Sequence, residues 1–83
     1  MENIPQPKKK VGAMSKNAFA KLCHPVPEEK VRARINLIIY DNRKNQKMYA
    51  GLTKKKVIGT HFIERVEVIE YFETYGWPNG YEL

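Results

Sequence analysis

A single cysteine, Cys23, stands among 83 residues, so no disulfide forms within the chain and its core must hold without a covalent staple. Histidine is nearly as scarce: His24 and His61 are the only two. A structural zinc site needs about four ligands. Cys23, His24 and His61 fall short of that and show no paired spacing, so neither a metal nor any other cofactor is expected. The longest uninterrupted apolar stretch is Leu37 to Tyr40, where a membrane-spanning helix needs about 20 residues. No membrane role is expected. Met1 to Pro7 is polar and broken by proline, unlike a secretory signal; with one cysteine this points to a reducing, cytoplasmic setting. Glycine-rich phosphate loops, internal repeats and heptads are absent as well.

What the chain does have is positive charge, unevenly placed. Fifteen Lys and Arg against nine Asp and Glu leave a net charge of +6. Residues 1 to 60 hold fourteen of the fifteen cations and four acids, a balance of +10, whereas residues 61 to 83 carry −4. The acidic end can neutralise the basic part or present a second surface of opposite sign. Size adds a constraint: a chain this short buries roughly 60 to 65% of its unfolded surface. A thin core with exposed strand edges favours a homodimer.

Residues 1 to 14 combine prolines, a glycine and a lysine run without apolar periodicity, and read as a flexible basic arm before one small domain over 15 to 83. Ser15 suits a helix cap, and Phe19, Leu22 and Cys23 share a face at i, i+3 and i+4, giving a short helix over 15 to 23 that the prolines at 25 and 27 end. Val31 to Tyr40 alternates apolar and polar residues and is expected as a strand, with Asp41 to Gln46 a hairpin loop and Lys47 to Leu52 the returning strand. Val57 and Ile58 would close a third. His61 to Tyr75 fits a helix better, with Thr60 as its cap and Gly76 as its stop. The fold expected is α+β: a small antiparallel sheet of two or three strands packed by a long C-terminal helix, with a short N-terminal helix beside it.

Two surfaces carry functional expectations. The basic one comprises Lys8, Lys9 and Lys10 on the arm, Arg32 and Arg34 on one strand face, and Arg43, Lys44, Lys47, Lys54, Lys55 and Lys56 in or beside the hairpin, with Tyr40 and Tyr49 placed to stack on bases. Phosphate contact needs only accessible donors, so this pattern predicts a non-enzymatic module binding DNA or RNA. The other surface joins Glu67, Glu70 and Glu73 to Tyr75, Trp77 and Tyr81, an acid-rimmed aromatic patch suited to a basic protein surface. It describes a small regulator or inhibitor of the kind phage and mobile elements use. Catalysis by Cys23, or by His24 with His61, has residue types in its favour and nothing else.

Overall fold

The computed structural model describes residues 9–78 and 80–82, the side chain of Glu82 excepted. Lys8 of the candidate basic set therefore lies outside the described residues. In chain order the elements are β1 (Lys9–Lys10), β2 (Met14–Ser15), α1 (Lys16–Leu22), α2 (Glu28–Arg43), a 3-10 turn (Lys47–Tyr49), α3 (Lys54–Ile58), β3 (Phe62–Ile63), α4 (Arg65–Tyr75) and β4 (Tyr81–Glu82). The fold is α+β, with a short antiparallel sheet. That sheet pairs Met14 with Ile63 and Ser15 with Phe62, and a second, parallel pair joins Lys9 to Tyr81.

The terminal landmarks follow the residues that predict them. Ser15 caps α1, its hydroxyl accepting from the Ala18 amide at 3.1 Å. We expect Ser15→Ala to lower stability by about 1 kcal/mol, read as a shift in the urea midpoint. Gly76 ends α4 with φ of 113°, a conformation that side chains with a Cβ rarely adopt. The start of α4 is later than periodicity suggests. His61 to Glu64 are drawn away to pair β3 with β2, so Glu64 rather than Thr60 takes the cap position. There its amide donates to Glu67 Oε1 at 2.8 Å.

The middle of the chain departs from expectation. Val31 to Tyr40 is not a strand but the body of α2, and the hairpin, its returning strand and the third strand give way to a turn and α3. The reason lies in the buried stripe. Val31, Ile35 and Ile39 sit at i, i+4 and i+8, which satisfies both a two-residue and a helical period. Ala33 and Leu37, which would share their strand face, are exposed. Glu28 and Glu29 in the first turn favour the helix by complementing its dipole.

Helix α2 is central and packs against α4, α3 and α1. Its stripe meets Phe19, Val57, Ile63, Val68, Tyr71 and Phe72, all buried. The Phe19 ring stacks on Phe72 at 5.5 Å and meets Tyr71 edge-on at 4.8 Å. The segment read as an arm is placed from Lys9 onward, and Val11 belongs to the core. The Arg65 side chain holds it there, donating to the Val11 carbonyl at 2.9 Å.

Candidate functional site

Two residues assigned to opposite surfaces meet inside the protein. Arg43, at the end of α2, is 6% exposed and Glu67, in the first turn of α4, is fully buried. Arg43 donates through Nε to Glu67 Oε2 at 2.8 Å and through Nη2 to Oε1 at 2.9 Å. Asn42 adds a third donor at 2.9 Å; Arg43 also donates to the Phe62 carbonyl at 3.2 Å, and its Nε lies 3.9 Å from Glu64 Oε1. Tyr49 lies against the same guanidinium, 5.0 Å from its ring centre. Burial opposes the charge of Arg43, but the hydrogen bonds and charge of Glu67, with Tyr49 and Glu64, more than offset it and leave its pKa above the usual arginine value. Arg43 and Glu67 are therefore structural here, available to neither a phosphate nor a partner, and Tyr49 is occupied beneath them.

Lys16 is a second buried cation that the sequence does not single out. Its ammonium donates to the carbonyls of Val57 at 2.7 Å and Ile58 at 3.4 Å, closing the last turn of α3. Burial, then the charges of Arg32 and Arg43, lower its pKa.

The remaining cations divide by location. Arg32 pairs with Glu28 at 2.8 Å and donates to Asn17 at 2.6 Å. Lys9 and Lys10 lie on β1 beside Tyr81 of β4. Lys44, Lys47, Lys54, Lys55 and Lys56 are exposed along the reversal that carries the chain from α2 into α3. Lys56 is partly engaged, donating to the Gly51 carbonyl at 3.2 Å, and Lys44 meets Asp41 at 3.4 Å in solvent, an interaction of little strength. Among the described residues no carboxylate pairs with Lys47, Lys54 or Lys55.

That reversal brings Tyr40 beside both ends of the lysine group: the ammoniums of Lys44 and Lys54 each lie 5.8 Å from its ring centre. Between α2 and α3 opens a groove of about 230 Å³ lined by Ala33, Asn36, Leu37, Tyr40, Lys54 and Ile58. Its apolar walls face solvent, with Leu37 57% and Ile58 67% exposed. Asn36 Oδ1 is buried without a hydrogen-bond partner. Read as a helix, the spacing Ala33, Leu37, Tyr40, Lys44 would have revealed this face; read as a strand, it splits across two.

The aromatic end forms a different hollow, of about 200 Å³, lined by Cys23, His24, Arg34, Tyr71, Tyr75 and Trp77 among others. The Arg34 guanidinium lies 4.2 Å over the Tyr75 ring, and Trp77 packs on Phe72 at 5.2 Å. Tyr71 and Phe72 thus close the core, while Tyr75 stays exposed and Trp77 and Tyr81 are half-buried. Of the helix acids, Glu70 and Glu73 remain on the surface. Burial raises the pKa of Cys23 against the smaller opposing effects of Tyr71 and Arg34, which keeps the thiol protonated and poorly nucleophilic. Among the described residues no three His, Cys, Asp or Glu side chains gather as a metal site, and no helix is long and apolar enough to cross a membrane.

Comparison with protein-family models, with curated proteins and with solved structures gives no match.

Proposed function

We propose that this protein is a non-enzymatic module that binds nucleic-acid phosphates through the exposed lysines between α2 and α3. One observation carries the reading: Lys44 and Lys54 flank Tyr40, with Lys47 and Lys55 exposed along the same reversal and no carboxylate pairing with Lys47, Lys54 or Lys55 among the described residues. Such a group supplies ammonium donors for successive phosphates beside an aromatic ring, the combination that single-strand binding uses. Arg32 and Arg34 are engaged with protein groups and contribute less. Lys9 and Lys10, on the β1–β4 pair, are a separate group of exposed cations.

A second reading, a protein-binding regulator or inhibitor, rests on α4. Val66, Glu70 and Glu73 form an exposed stripe at i, i+4 and i+7, with Tyr75 at the helix end. Without Glu67 this surface is less acidic than the sequence suggests. The two readings separate in one titration. Anisotropy of a fluorescein-labelled oligonucleotide at 50 mM salt rises on adding the protein if the lysine face is a phosphate site. A flat signal with single-stranded DNA, single-stranded RNA and duplex overturns it in favour of the α4 surface.

A further inference from the structure

The hollow at the aromatic end holds a cation that no acid of the fold answers. Arg34 reaches it from α2, and among the described residues no carboxylate comes within ion-pair distance of its guanidinium. One donor, Nη1, meets the Tyr71 hydroxyl at 3.5 Å, a long and weak contact. Nε and Nη2 donate to no protein group. Asn36 Oδ1 is the only buried side-chain nitrogen or oxygen without a partner among the described residues, so both of these Arg34 nitrogens keep access to solvent. Burial raises the pKa of Cys23 and of Tyr71, so neither lining group supplies a negative charge. Leu22, Val26, Trp77 and Pro78 add half-buried apolar walls. A cation among such walls sits in a lower effective dielectric than a surface lysine, and gains more from an anion that reaches it.

We infer that this hollow binds a small organic acid, a carboxylate joined to a single apolar ring. The guanidinium fork matches the two oxygens of a carboxylate, and one arginine balances one negative charge where a phosphate would bring a second. The ring packs against Trp77, Leu22 and Val26. Size sets the upper limit: about 200 Å³ lies below the roughly 300 to 1,000 Å³ of clefts that enclose drug-sized molecules, so one ring fits and a larger body does not. The hollow includes none of Lys44, Lys47, Lys54 and Lys55. Its occupation and phosphate binding are therefore tested independently.

Trp77 is the only tryptophan of the chain and lines the hollow, so its emission reports occupancy. Phenylacetate, phenylacetamide and acetate are titrated into the wild-type protein and into Arg34→Met, which keeps an apolar chain of similar length without the charge. Phenylacetamide retains the ring and loses the charge; acetate does the reverse. The expected result is a saturable change with phenylacetate at an affinity at least about tenfold above that of either control, with the margin lost in Arg34→Met. The far-ultraviolet spectrum verifies that the variant is folded, and if it is not, the three ligands on the wild type decide alone. Phenylacetamide or acetate bound as tightly as phenylacetate, no saturable change by about 10 mM phenylacetate, or an undiminished preference in folded Arg34→Met overturns the inference.

Discussion

Glu67→Ala is expected to destabilise the protein by about 3 to 5 kcal/mol, because it strands the Arg43 charge in the interior. The carboxylate is fully buried and accepts from Arg43 twice, from Asn42 and from the Glu64 amide. Once it is gone, Arg43 keeps the Phe62 carbonyl, the Tyr49 ring and the partly exposed Glu64 carboxylate, which lies 3.9 Å from its Nε and is too distant to replace the lost hydrogen bonds. Small domains have about 5 to 15 kcal/mol to lose, so urea denaturation should show Glu67→Ala partly unfolded or near its midpoint without denaturant. The double variant Arg43→Met with Glu67→Leu removes both charges together and should recover most of that loss, since a buried ion pair is often no more stabilising than apolar residues of similar volume. A Glu67→Ala midpoint equal to that of the wild type would show that the pair is open to water and that Arg43 remains a candidate for phosphate contact.

The second large effect concerns binding. Replacing Lys44, Lys47, Lys54 and Lys55 together by glutamine should abolish oligonucleotide binding at physiological salt. Each phosphate contact with a single strand contributes about 0.7 to the slope of log K against log salt, so four contribute about 2.8, worth roughly 4,000-fold in affinity between 1 M and 50 mM salt. All four side chains are exposed, so the fold should be retained, with an unchanged far-ultraviolet spectrum and urea midpoint. An affinity within tenfold of the wild type would move the site elsewhere, with Lys9 and Lys10 the next candidates.

How far the sequence leads depends on how local the cause is. The Ser15 cap and the Gly76 stop depend on one residue each, and both are found where they are expected. The α+β class also follows from the sequence. The strand assigned to Val31–Tyr40 fails because Val31, Ile35 and Ile39 satisfy two periods at once. Only the exposure of Ala33 and Leu37, a consequence of what α1, α3 and α4 cover, decides between them. The Arg43–Glu67 pair spans 24 positions and buries two residue types that usually face water, so composition assigns them to the surface. The proximity of Tyr40 to Lys54 depends less on element type: the chain reverses direction after residue 43 whether it does so as a hairpin or as two helices joined by a turn. The groove beside them is legible only once α2 is known to be a helix.

The most direct measurement is the salt dependence of binding by the wild-type protein, with labelled oligo-dC titrated at 50, 100, 200 and 300 mM salt. Four lysine contacts predict a linear fall of log K with log salt and a slope of about −3. No association at 50 mM, or an affinity that does not change with salt, would contradict a phosphate-binding face built from Lys44, Lys47, Lys54 and Lys55.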